Sequence, residues 1–202
     1  MQRRKYMNPG PNFVWHIDGY DKLSRYGICI HGAVDGFSRK IIWLQAYHTN
    51  KDPRVIAGYF MESVGIENKC PQRIRADRGT ENGHVEQMQK FLRRNHTDSY
   101  AGEKAFLYGT STANQRIESM WGMVRKQGIQ YWMNLFQSLL DDGKFDGGYL
   151  DRELIRFCFL DVIQATLDDI RSTWNRHRLL NSGRPWIMHT MPSILRDKEF
   201  CS

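Results

Sequence analysis

Three carboxylates stand where this chain could do chemistry. Asp18 ends the short aromatic and β-branched run FVWHID (13–18), Asp77 ends PQRIRAD (71–77), and Glu118 lies in NQRIESMW (114–121), which reads as the first turns of a helix. They are far apart in sequence. In a mixed sheet, however, the first and fourth strands can be neighbours, and ligand sites form at the carboxyl edge of such a sheet beside a helix N-terminus. Three converging carboxylates repel one another and need a counter-ion, and an all-oxygen cluster suits Mg²⁺ or Mn²⁺ rather than zinc. Each acid also has an ordinary role when taken singly. Asp18 before Gly19 and Asp77 before Gly79 fit Asx-turns, and Glu118 fits a surface pair with Arg116. The three together, in this order of elements, favour the metal-binding reading.

The elements that must position them follow from periodicity. FVWHID, YGICIHGAVD (26–35) and KIIWLQAYHT (40–49) read as three strands joined by short turns, hence an antiparallel meander. Asp52 and Pro53 open a helix, with Val55, Ile56, Tyr59, Phe60 and Val64 at helical spacing. PQRIRAD is a fourth strand. ENGHVEQMQKFLRR (81–94) is a helix with Val85, Met88, Phe91 and Leu92 on one face, and KAFLYG (104–109) is a fifth strand. The helix opened by NQRIESMW runs to about residue 140, with Gly128 as a point of bending. Another long helix covers about 150–180, and SGRPWIMHTMPSIL turns irregular around Pro185 and Pro192. The order is that of an α/β layer architecture with a mixed sheet. It divides into a flexible lead (1–12), a core (13–140) and a helical extension with a basic tail (141–202).

Among secondary candidates, Asp35 reads as a hairpin-turn residue, His16 and His31 as satisfied sheet residues, and Trp121, Trp132 and Trp174 as packing residues. Apolar residues make up 41% of the 202 residues and charged residues 25%, so a packed core is expected. The net charge of +7 points to a polyanionic partner, nucleic acid first. Five arginines and no acid between Arg171 and Arg196 make either a solvated helix face or a phosphate-contacting surface. Cys29, Cys70, Cys158 and Cys201 form no C-x-x-C pair and have no zinc-like histidine spacing, so no structural zinc is expected. No apolar run is long enough to span a membrane, and the basic, polar start is unlike a signal peptide. An intracellular protein is expected, with Arg3, Arg4 and Lys5 pointing to the nucleus.

WHIDGYDKL (15–23), IRADRGTEN (74–82) and NQRIESMW resemble the three acidic motifs of the retroviral integrase and DDE transposase catalytic core. DGFSR (35–39) resembles the hairpin after the first motif, and WNRHRLLNSGRPWIMHTMP resembles the Arg- and Pro-containing tail of transposase cores. The similarity is closest to transposon-derived integrase-core proteins of animals and covers about residues 13–192.

The resemblance implies a ribonuclease-H-like fold with a mixed five-stranded sheet, its first three strands antiparallel, flanked by helices and followed by a long-helix extension. It implies that Asp18, Asp77 and Glu118 bind two Mg²⁺ (or Mn²⁺) ions. The implied reaction is phosphoryl transfer at DNA, either 3′-end nicking or strand transfer. It places Asn114 beside the site and in contact with DNA. Arg125, two turns beyond Glu118, and Lys22, Arg78 and Arg116 are the expected phosphate contacts. Homodimers or higher homo-oligomers are expected. The viral enzymes carry a lysine one turn after the glutamate where this chain has Gly122, and the Asp77–Glu118 interval is longer than theirs. The rival readings are a retained DNA-binding or assembly module without catalysis, and a structure-selective ribonuclease-H-like nuclease.

Overall fold

The computed structural model describes residues 8–109, 114–179 and 182–193. A five-stranded sheet has the order β3-β2-β1-β4-β5. β1 (Val14–Tyr20), β2 (Cys29–Asp35) and β3 (Ile41–Tyr47) form the expected antiparallel meander. β4 (Arg73–Ala76) lies parallel to β1, and β5 (Phe106–Tyr108) parallel to β4. The helices are α1 (Pro53–Glu67), α2 (Gly83–Leu92), α3 (Gln115–Val124), α4 (Gln130–Asp141), α5 (Tyr149–Arg176) and α6 (Pro185–Thr190).

Side-chain alternation along the strands splits the core into two layers. Trp15, Ile17, Ala33, Trp43 and Ile74 face α1 and α2, where Ile56, Phe60 and Val85 meet them. Tyr20, Ile30, Val34, Ile41 and Leu44 face α3, α4 and α5. The structure is therefore a helix–sheet–helix sandwich. α1 begins as its sequence requires, with the Asp52 carboxylate accepting from the Arg54 backbone N–H at 2.9 Å and Pro53 in the first turn. The β2–β3 turn is tied by Asp35, which accepts from the Ser38 N–H and Oγ–H at 2.7 Å each, and from the Asn12 N–H. That confirms Asp35 as a turn residue, and it also anchors the described end of the expected flexible lead.

Several boundaries differ from the sequence reading. β1 continues through Asp18 to Tyr20, so Asp18 is inside the strand and not at its end. β2 starts at Cys29 because Ser24–Tyr26 form a 3₁₀ turn closed by Gly27 at φ 87°. On α2 the buried residues are Val85 and Gln89, whereas Met88 and Phe91 are exposed. Gln89 takes the interior place because its amide donates to the Pro71 carbonyl at 2.8 Å. Helices α3 and α4 are one continuous rod joined by a π-helical turn, Arg125–Ile129, which contains Gly128. A Cβ at Gly128 would come within 2.8 Å of Thr166 Cγ2, so the glycine lets α5 cross closely. Pro185 starts α6 instead of interrupting the chain.

α5 covers the edge of the sheet. Asn175 accepts from the Ile41 N–H at 2.8 Å and donates to the Ile41 carbonyl at 3.0 Å. Gln164 accepts from the Ala46 N–H at 2.8 Å and donates to the Leu44 carbonyl at 3.2 Å. Trp174 donates to the Arg39 carbonyl. These amides take the place of a neighbouring strand and satisfy backbone groups that an edge strand would otherwise expose. Asn175→Ala leaves the Ile41 N–H and carbonyl unpaired in a buried setting. It is expected to cost roughly 2–3 kcal/mol, read as a lower urea midpoint at unchanged m-value. A loss below about 0.5 kcal/mol would show that water replaces the amide without penalty.

Candidate active site

Asp18 and Asp77 are brought together by strand register. The parallel β1–β4 pairing matches His16 with Arg75. Asp77 follows the last residue of β4, and its charge acts on Asp18. Asp77 leaves β4 into a 3₁₀ turn, Thr80–Asn82. There the buried Asn82 amide lies 3.4 Å from Asp77 Oδ1 and 3.1 Å from Glu81 Oε1, which fixes the loop below the carboxylate. The Asn82 side-chain oxygen has no hydrogen-bond partner among the described residues.

Glu118 arrives on α3, which is docked onto β1 at two points. Asn114 donates to the Ile17 carbonyl at 3.2 Å, and its amide oxygen lies 2.5 Å from His16 Nδ1. Trp121 donates its indole N–H to Asp18 Oδ2 at 3.0 Å. Glu118 is four residues beyond the first anchor and three before the second, hence on the same side of the helix as both. It lies in the first turn, where the helix dipole favours a negative charge.

The helix reaches the sheet because Gly32 lies opposite Asp18 on β2. A Cβ there would stand 2.8 Å from both Met120 Cε and Trp121 Cη2. A Cβ there would force the Met120 and Trp121 side chains to shift. Tyr20, on the same face of β1, packs on Trp121 with ring centroids 5.1 Å apart, and its buried hydroxyl has no partner among the described residues.

The electrostatics register the convergence. Burial, together with the negative charges of Asp77 and Glu118, pushes the Asp18 carboxyl up to about 7, against the opposing pull of the Trp121 hydrogen bond. Burial holds the imidazoles of His16 and His31 well below their usual range, at about 4 and about 3. Both rings are already bonded, His16 to Asn114 and His31 to the Trp43 indole, as expected for sheet histidines. The donor set at the carboxylates is all oxygen, and the raised Asp18 is a group that a divalent cation would relieve, so the chemistry fits a hard ion. As they stand, no three His, Cys, Asp or Glu among the described residues form a group that could hold a metal.

The basic candidates are placed differently from one another. Lys22 and Arg78 are exposed, each just beyond one of the aspartates. Arg125 is exposed and donates to Gln130 at 2.7 Å; burial raises the Tyr20 hydroxyl above its usual value, and the Arg125 charge opposes that. Arg116 is half-buried, and its charge acts on His16 and Arg39. Asn114, the expected DNA contact, lies on the inner side of α3. The residue is 3% exposed with both ends of its amide in use, so it anchors α3 to β1 instead of facing a ligand. Sequence reasoning missed Gly32 and the link from Trp121 to Asp18. The signal available for the latter was an indole three residues after the helix carboxylate.

An integrase core domain model matches residues 5–190. The fold is similar to the HTLV-2 integrase catalytic core domain in complex with magnesium. For the trimeric form the TM-score is 0.56 at 16% identity, covering 91% of this chain and 99% of that one. For the dimeric form it is 0.52 at 14% identity, covering 90% and 98%. It is also similar to a chain of the simian T-cell lymphotropic virus intasome in complex with PP2A regulatory subunit B56 gamma, with TM-score 0.56 at 14% identity over 93% of this chain and 57% of that one. No curated protein matches this chain in sequence. At these identities the solved structures speak for the fold, a ribonuclease-H-like α/β sheet with its long C-terminal helix. The family model spans nearly the whole chain: the chain belongs to the integrase core domain family.

Proposed function

We propose that this protein carries out divalent-metal-dependent phosphoryl transfer on DNA at Asp18, Asp77 and Glu118. The observation that carries the reading is the effect of the Asp77 and Glu118 charges on the half-buried Asp18, with the three acids coming from three distant segments of the chain. The HTLV-2 relative in complex with magnesium supports the choice of ion. Asp18, Asp77 and Glu118 would hold the ions, two as proposed from the sequence. Ions held there would supply charge stabilisation at the phosphate and activation of the attacking oxygen.

The chain's own residues set the rest. Trp121 orients Asp18, Asn82 holds the loop of Asp77, and the docked α3 holds Glu118. Lys22, Arg78 and Arg125 are exposed around the site as phosphate contacts. The attacking oxygen forms a bond to phosphorus, the bond to the 3′-oxygen breaks, and the attacking group loses its proton. With water this is nicking; with a DNA 3′-hydroxyl it is strand transfer.

Asp77→Asn and Glu118→Gln are each expected to reduce Mn²⁺-dependent cleavage of branched or pre-nicked DNA by a factor of at least about 100, with unchanged circular dichroism. Retention of activity in either variant defeats the assignment. A second measurement needs no turnover. The Asp18 carboxyl is raised from 3.8 to about 7 on folding, so below about pH 4 it is protonated in both states and costs nothing. As pH rises from about 4 to about 7 the unfolded chain releases the proton first, and stability is lost. Asp18→Asn is therefore expected to be increasingly more stable than wild type across that window and by a constant amount above it, in metal-free urea titrations. Adding Mn²⁺ at pH 8 should raise the melting temperature of wild type but not of Asp18→Asn.

We propose further that the protein pairs with a second copy through the N-terminal half of α5. Tyr149, Leu150, Leu154, Phe157 and Val162 are exposed there, Phe157 at 89%. Five large side chains on one helix supply a large part of the about 800 Å² per partner that a standard interface needs. The HTLV-2 core is described in dimeric and trimeric forms. Phe157→Glu is expected to convert dimers to monomers in light scattering at micromolar concentration, with an unchanged melting profile of the monomer fold. Wild type that is monomeric at those concentrations excludes this interface.

A further inference from the structure

The arginine-rich segment builds a cleft that the carboxylate site does not use. A cavity of about 660 Å³ opens between the C-terminal half of α5 and α6, lined by Asp168, Arg171, Ser172, Asn175, Arg176 and Trp186. The five α5 residues recur three or four apart and so form one helix face, while Trp186 comes from the first turn of α6. The floor is fixed, because Asn175 is locked to Ile41 and Asp168 Oδ1 accepts from Gln164 at 3.0 Å. The walls are chemically open. Neither Arg171 nor Arg176 is ion-paired with a described carboxylate. Trp186 is 50% exposed.

The cleft is remote from the acids. Asn175 and Trp174 grip Ile41 and Arg39 at the start of β3, the edge strand two positions from β1. The carboxylates lie between β1, β4 and α3, so at least two strand spacings, roughly 10 Å, separate the two places within the sheet alone.

We propose that this cleft binds unpaired nucleotides of a nucleic-acid strand, with one base stacked on Trp186 and flanking phosphates on Arg171 and Arg176. An indole face beside guanidiniums that are not ion-paired among the described residues is the combination that holds single strands without sequence preference. The volume falls in the range of small-ligand sites and admits one or two nucleotides. A strand is favoured over a free nucleotide because Arg178 and Arg184 extend the positive surface beyond the cleft, and no acid occurs between Arg171 and Arg196. Asp168 leaves an acceptor for a base amine and disfavours a purely anionic ligand such as an acidic peptide. This binding does not depend on the carboxylates turning over.

The test uses the full chain in EDTA, with a fluorescein-labelled oligothymidylate of about 15 nucleotides read by anisotropy at several salt concentrations. Arg171→Gln/Arg176→Gln is expected to weaken binding about tenfold and to flatten the salt dependence by about 1.4 in log–log slope. Trp186→Ala should weaken binding about tenfold with the slope unchanged, and Trp186→Phe should restore most of it. Because this binding is read in EDTA and cleavage is read with Mn²⁺, failure of this proposal and failure of the catalytic reading are told apart by separate measurements. The proposal is overturned if the double arginine variant keeps wild-type affinity and slope, if Trp186→Ala binds normally, or if poly-glutamate displaces the oligothymidylate at equal charge concentration, which would mark an acidic-peptide site.

Discussion

The close approach of α3 to the sheet over Gly32 is the constraint on which the rest of the site depends. Gly32 lies directly opposite Asp18, and the missing side chain leaves room for Met120 and Trp121 against the strand. Only with the helix at that depth does the Trp121 indole reach Asp18 and does Asn114 reach His16 and the Ile17 carbonyl. Glu118 is carried between those two anchors. Its position is set by packing and hydrogen bonds made by its neighbours, and among the described residues its exposed carboxylate makes no hydrogen bond or ion pair.

This arrangement works against folding at the site and is sustained elsewhere. A half-buried carboxylate next to two like charges is unfavourable, and it shows as the raised Asp18. The compensation is apolar: one core layer against α1 and α2, another against α3 to α5, with Trp15, Trp43 and Phe60 fully enclosed on one side and Phe136 on the other. A further charged group lies buried toward the other end of the sheet, where Lys40 bonds both Glu67 oxygens at 2.6 and 2.7 Å and His189 from α6 approaches. There the charges are paired, whereas among the described residues no ion pair is made by Asp18, Asp77 or Glu118. Like charges left together in a fold that pairs its charges elsewhere are what the proposed ligand site at these acids rests on.

Much of this was legible in the residues. FVWHID is short, aromatic and β-branched, and short turns follow it, so the meander follows from composition and spacing, and the three acids stand out by their places at or near element ends. Asp52–Pro53 announces α1 without ambiguity. What sequence could not yield was contact across the sheet. Asn114 reads as a polar residue before a helix, with nothing in NQRIESMW to say that His16, 98 positions earlier, would occupy it. Met88 and Phe91 look like core by hydrophobicity, yet the interior place goes to Gln89, because the Pro71 carbonyl beneath it needs a donor. Gly32 within HGAV reads as a weak strand residue, and its purpose appears only when α3 is laid on top.

The long helix α5 shows how one element can serve several ends by changing character along its length. Its inner face supplies the amides of Gln164 and Asn175 that close the β3 edge, so the sheet cannot extend through that strand. The opposite edge, β5, needs less protection because it is only three residues long. With its middle and C-terminal parts held to β3, α5 projects toward solvent an apolar N-terminal face around Phe157 and a cationic C-terminal face around Arg171 and Arg176. These two faces differ in what they can attract, an apolar surface in one case and a polyanion in the other. Because the same rigid helix carries both and is bonded to the sheet that holds Asp18, any partner on one face is held at a fixed position relative to the acids. The geometry of an assembly on this chain would thus be set by α5, and the place of chemistry by α3.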